Sequence, residues 1–125
     1  MELNPDTDLS IDIHNLTAEF RGLPSTLFRY YQYKAKVEAN RDTCKAKLKE
    51  TRALVYKRIK SDSSVKYTEK GLESEIDIDP AVIDAQMKLI RAEHDASTWG
   101  GAVDSMKAKK DCLIQLGSDR RKEIA

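Results

Sequence analysis

Large aromatic side chains are scarce in this chain: one Trp, five Tyr and two Phe among 125 residues. A single copy would therefore bury a thin core, and association between helical subunits is expected. Cysteine is limited to Cys44 and Cys112, far apart and without CxxC or Cys/His spacing, which excludes a zinc knuckle or a disulfide framework. Both read as small residues packed in helices in a reducing compartment. His14 and His94 are equally isolated and have no partner at catalytic or metal-ligand spacing. There is no phosphate-cradling Gly-rich loop, no GxSxG and no HExxH, so the sequence offers no enzyme signature and implies no cofactor and no metal. No run approaches the ~18 consecutive apolar residues of a membrane span. The acidic start Met1-Glu-Leu-Asn-Pro lacks the basic and apolar regions of a signal peptide, so the cytoplasm is the expected location.

Glycine and proline are also sparse, and their absence marks the stretch that dominates the chain. Between Ser25 and Lys60 there is neither, and Pro24 stands where a helix entry accepts it. A continuous helix over 25–60 would be roughly 54 Å long. It carries eleven Lys or Arg against Glu38, Asp42 and Glu50, a net +8 in a protein of net charge +1. Its apolar positions Leu27, Phe28, Tyr31, Val37, Cys44, Leu48, Val55 and Ile59 recur at threes and fours, and the stripe thins between Lys34 and Arg41. The other faces are nearly all basic or polar. Phe28-Arg-Tyr-Tyr-Gln-Tyr interleaves rings with a cation, a combination that stacks bases in single-strand binders but that also buries well against neighbouring helices; both readings stay open.

The remaining chain divides at clear signals. Residues 1–24 form an acidic arm of net −4, read as a flexible start, an extended piece through Leu9, Ile11 and Ile13, and a short helix from Asn15 ending at Gly22. Such an arm either masks the basic face, docks on a basic partner, or is a solvated terminus. Residues 61–79 form a connector: Ser61-Asp-Ser-Ser stops the first helix, and Thr68 caps a short helix reaching about Ile76. Asp79-Pro80 then pairs an N-cap with Pro at the first helical position, opening a second long helix over 80–117 that Gly117 closes before a short tail. Gly100-Gly101 interrupts it beside Trp99 and reads as a tight crossing, a kink or a break. Net charge alternates as −4, +8, −5 and +2 over 1–24, 25–60, 61–98 and 99–125. The expected fold is therefore all-α: a long antiparallel helical hairpin with short accessory helices, its charge blocks paired across the connector, assembling into an oligomer. The excess positive charge points to a polyanion face at Lys45, Lys49, Arg52, Lys57, Arg58 and Lys60, with Tyr56 among them.

The order of these features is similar to a known family. A long first helix ends in Ala53-Leu-Val-Tyr-Lys-Arg-Ile-Lys, followed by Tyr67-Thr-Glu, Asp79-Pro-Ala-Val, an apolar helix with a Trp, and Met106-Lys-Ala-Lys-Lys-Asp-Cys-Leu-Ile-Gln-Leu. Over roughly residues 16–117 the chain resembles the UvsY-like recombination mediators of tailed phages. The resemblance implies a non-enzymatic protein that helps load a RecA-type recombinase onto single-stranded DNA coated by single-strand-binding protein. It also implies a ring-like homo-oligomer of hexamer to octamer size in the host cytoplasm. Basic residues near the end of the first helix contact DNA in that family, and the matching positions here are Lys57, Arg58 and Lys60, with Tyr56 adjacent. The other reading of the same charge rows is a helical scaffold or assembly protein of a phage or bacterium, whose basic face is simply solvated.

Overall fold

The computed structural model describes residues 3–62 and 65–124. Four helices follow in order: α1 (Pro5–Asp8), α2 (Leu16–Ser61), α3 (Glu69–Asp77) and α4 (Pro80–Ile124), with no strand among the described residues. None of the helices is long and apolar enough to cross a membrane. The chain divides into two compact units, residues 1–36 with 97–125, and residues 37–96. Both α2 and α4 contribute to each.

In the first unit, Leu16, Leu23 and Tyr30 repeat at seven-residue intervals on α2 and pack with Val103, Met106 and Leu113 of α4. The α2 and α4 segments run antiparallel here, because Phe20 meets Gly117 while Tyr31 meets Lys107 and Lys34 approaches Gly100. Trp99 closes one end of this core, its ring 4.4 Å from that of Tyr33 in an edge-on arrangement and 6.1 Å from Tyr30. Leu3, Leu9 and Ile11 of the N-terminal arm pack against the same core. Polar contacts fix the arm as well: the Tyr30 hydroxyl donates to Asp8 at 2.7 Å, and the Lys109 ammonium donates to the Asp8 carbonyl at 2.6 Å and pairs with Glu19 at 2.8 Å. The arm from Leu3 onward is thus anchored within its own unit, in place of the flexible start expected from its composition.

Two expected helix boundaries are corrected. The helix expected to stop at Gly22 and the one expected to start at Ser25 form one element, with Pro24 inside it. An internal proline costs ~3 kcal/mol, but Leu23 and Tyr30 bury one continuous face on either side of it, and that packing carries the helix through. Gly117 does not end α4, which runs seven residues further to Ile124. The Gly117 position lies under the Phe20 ring, so its lack of a side chain serves packing. Gly100 and Gly101 neither break nor interrupt the helix; a Cβ at Gly101 would meet nothing within 4 Å.

In the second unit, α2 and α4 are joined through α3, whose Leu72 and Ile76 are buried against Val55 of α2 and Val82 of α4. Local chemistry explains the turns. Thr68 accepts the Gly71 amide at 3.1 Å as N-cap of α3. Asp79 accepts the Ala81 amide at 2.9 Å, and Pro80 occupies the first position of α4, where a missing N–H is harmless. Ser61 bonds back to the Arg58 carbonyl at the end of α2. Ser63 and Ser64, part of the expected helix stop, lie outside the described residues.

Candidate nucleic-acid interface

The seven residues singled out from the sequence all lie on α2 within the second unit. At 3.6 residues per turn, Lys45, Lys49, Arg52, Tyr56 and Lys60 fall on one face of the helix, Lys57 flanks that face, and Arg58 points away from it. Val55, Leu48 and Ile59 take the neighbouring sector into the core. Lys45, Lys49, Tyr56, Lys57, Arg58 and Lys60 are exposed, and Arg52 is half-buried.

Two of the seven are already engaged. Arg52 pairs with Asp77 of α3 at 2.7 Å. Arg58 donates to Asp79, a buried carboxylate that also caps α4. The Arg58 guanidinium, then the Ala81 amide, hold the Asp79 carboxyl below the usual carboxylate range. Arg58 therefore serves the turn before α4 first, while 65% of its side chain stays exposed. Arg52 is tied less firmly, because an ion pair between partly exposed groups contributes little and a phosphate can replace the carboxylate. Among the described residues no ion pair engages Lys45, Lys49, Lys57 or Lys60; the Lys60 ammonium lies 6.0 Å from the centre of the Tyr56 ring.

The acids of α3 change the electrostatic picture. Residues 37–96 hold twelve Lys or Arg and twelve Asp or Glu, so the unit that carries the basic row is neutral overall. The positive excess read along α2 is local to one face and does not extend over the unit. Beside that face a groove of about 490 Å³ separates α2 from α3. Arg52, Tyr56 and Lys60 line one wall, and Tyr67, Glu69 and Glu73 line the other. Tyr67 adds a second exposed ring to the groove. Spacing along α2 could not reveal it, since it lies in the connector and reaches the groove only once Thr68 has turned the chain into α3.

The aromatic cluster at the start of α2 resolves into two groups. Tyr30 is fully buried and structural, whereas Tyr33 rests edge-on against Trp99 and stays partly exposed. Burial first, and then the hydrogen bond to Asp8, push the Tyr30 phenol well above its ordinary pKa and keep it neutral. Phe28 and Tyr31 face outward, with the Lys107 ammonium 5.3 Å from the Tyr31 ring centre.

Compared with known protein families, curated proteins and solved structures, the chain matches none of them.

Proposed function

We propose that this protein is a single-stranded DNA-binding recombination mediator, without catalytic chemistry, that helps load a RecA-type recombinase onto DNA coated by single-strand-binding protein. The observation that carries the reading is the exposed lysine row of α2, Lys45, Lys49 and Lys60 with Lys57 beside it, running past the exposed ring of Tyr56. Lysines along a helix neutralise phosphates without regard to base sequence, and an adjacent ring offers a face on which any base stacks. The order of features, which resembles that of UvsY-like mediators, supports the same role. A unit with no net charge holds DNA weakly enough to pass it on, which suits a mediator better than a dedicated coating protein. Retention on a single-stranded oligonucleotide at low salt, lost at high salt, tests the reading; no retention at low salt rejects it.

One observation favours a structural role. Arg52 and Arg58 are both engaged by acids of the same unit, and its positive and negative charges are equal in number. On that reading the lysine row is a solvated face of a scaffold-type helical protein. The two readings part at the oligonucleotide experiment: the scaffold neither binds it nor responds to loss of the lysines.

A further inference from the structure

The first half of α4 is apolar on two opposite faces. Val82, Leu89, Ala92 and Ala96 are buried inward. Ile83, Met87 and Ile90, at steps of four and three residues, form a second stripe on the far side of the helix. They remain 48%, 47% and 49% exposed. A helix with two apolar faces normally has both covered. The spacing is that of a coiled-coil seam, in which a stripe this narrow meets a similar one on another helix.

We propose that this stripe pairs with the same stripe of a second copy, antiparallel, about a two-fold axis close to residues 88 and 89. In this register Met87 packs against the partner's Ile90 and Ile90 against the partner's Met87. The charges beside the seam specify the orientation. Asp84 and Arg91 flank it on one side, and the antiparallel register sets Asp84 of each copy opposite Arg91 of the other, giving two ion pairs by symmetry. Asp84 has only the exposed neighbour Lys88 at 3.1 Å within its own helix, and among the described residues no ion pair engages Arg91. Mixed acids and bases around the stripe argue against a lipid surface, which selects a basic border. The pairing draws on this stripe alone and does not depend on the DNA-binding reading.

The test is light scattering of the full chain across a concentration series, with circular dichroism as a control. The wild type is expected to associate with rising concentration. Met87→Lys is expected to weaken that association about a hundredfold while helicity stays unchanged, because the side chain is not part of the subunit core. Asp84→Arg and Arg91→Glu are each expected to weaken pairing about tenfold, and the double substitution to restore most of the loss. A wild-type chain that stays monomeric up to roughly millimolar concentration overturns the proposal, since even a weak pairing is half-formed there. So does an assembly indifferent to Met87→Lys. If the charge-swapped double variant is no better than its single parents, the antiparallel register is wrong.

Discussion

Arg58 of α2 donates to the carboxylate of Asp79, whose other oxygen accepts the Ala81 amide at the first turn of α4. One buried carboxylate thus joins the end of one long helix to the start of the other, and it does so at the residue where the sequence already signals a helix start. Replacing Asp79 by Ala removes the cap and leaves Arg58 without its acid, so the thermal midpoint is expected to fall by several degrees. Replacement by Asn keeps an acceptor for the Ala81 amide and is expected to recover part of that loss. Thermal melts followed by circular dichroism compare the two.

The same pair sets an acid limit. Because the folded pKa of Asp79 is lowered, its stabilisation is fully present above the unfolded carboxylate value, ~3.9, and disappears as pH falls through the lower folded value. Stability measured by urea melts is expected to decline below about pH 4, with a shallower decline in Asp79→Asn. An identical acid profile in the two proteins would show that other carboxylates govern the response.

Capping signals were legible in the sequence because they are local: Thr68 needs only the Gly71 amide, and Asp79-Pro80 needs only the turn that follows it. The division between the two compact units at 36/37 falls where the apolar stripe thins, between Lys34 and Arg41, but composition and charge place the boundary of the helical domain at 24/25. Pro24, Gly22 and Gly117 misled because their local preference is outweighed by Leu23, Tyr30 and Phe20, whose partners lie on distant segments. The basic face was visible on α2, and the alternation of charge blocks already pointed to pairing across the connector; which residues pair was not visible. That depends on Asp77 and Asp79 folding back against Arg52 and Arg58, contacts at separations of 25 and 21 residues.

Tyr30 predicts an alkaline limit. Its folded pKa is raised by burial and by the Asp8 hydrogen bond, so its contribution is intact below the unfolded value of ~10 and is lost as pH rises above it. Of five tyrosines, this one is expected to ionise only as the protein unfolds, which an absorbance titration resolves. Tyr30→Phe keeps the ring and removes the donor to Asp8, at an expected ~1 kcal/mol. The expected result is a gentler alkaline decline.

Lys109 tethers the arm through both Glu19 and the Asp8 carbonyl, and it is largely buried. Lys109→Ala strands a partly buried carboxylate and is expected to cost ~2 kcal/mol. Hydrogen exchange is expected to rise first at the Asp8 and Leu9 amides, before the centre of α2 responds. Uniform acceleration throughout the chain would mean that the arm and the helices open together.

The glycines of the long helices differ in a way that substitution exposes. Gly101 has open space at its Cβ position, so Gly101→Ala is expected to stabilise by about 1 kcal/mol through helix propensity alone. At Gly117 the added methyl would lie 3.3 Å from the Phe20 ring, and the gain is expected to shrink or reverse unless the ring shifts. Chemical denaturation of the two single variants gives the comparison directly.

Finally, the DNA-binding reading predicts how the salt response depends on individual residues. Lys45, Lys49, Lys57 and Lys60 are exposed and engaged in no ion pair among the described residues, so each is expected to release about 0.7 of a counterion on single-strand binding. Replacing all four by Ala is expected to lower the slope of log affinity against log salt by ~3, with helicity maintained because Ala is an excellent helix former. Arg52→Ala is expected to remove a fraction of one contact, since phosphate must first displace Asp77. Arg58→Ala is expected to lower the melting temperature while leaving the salt slope unchanged, because its guanidinium serves Asp79. Tyr56→Leu separates stacking from charge: affinity is expected to fall about tenfold at an unchanged slope. If the four-lysine variant keeps the wild-type slope, DNA contacts lie elsewhere. If neither protein binds the oligonucleotide at low salt, the lysine row is a solvated face and the scaffold reading stands.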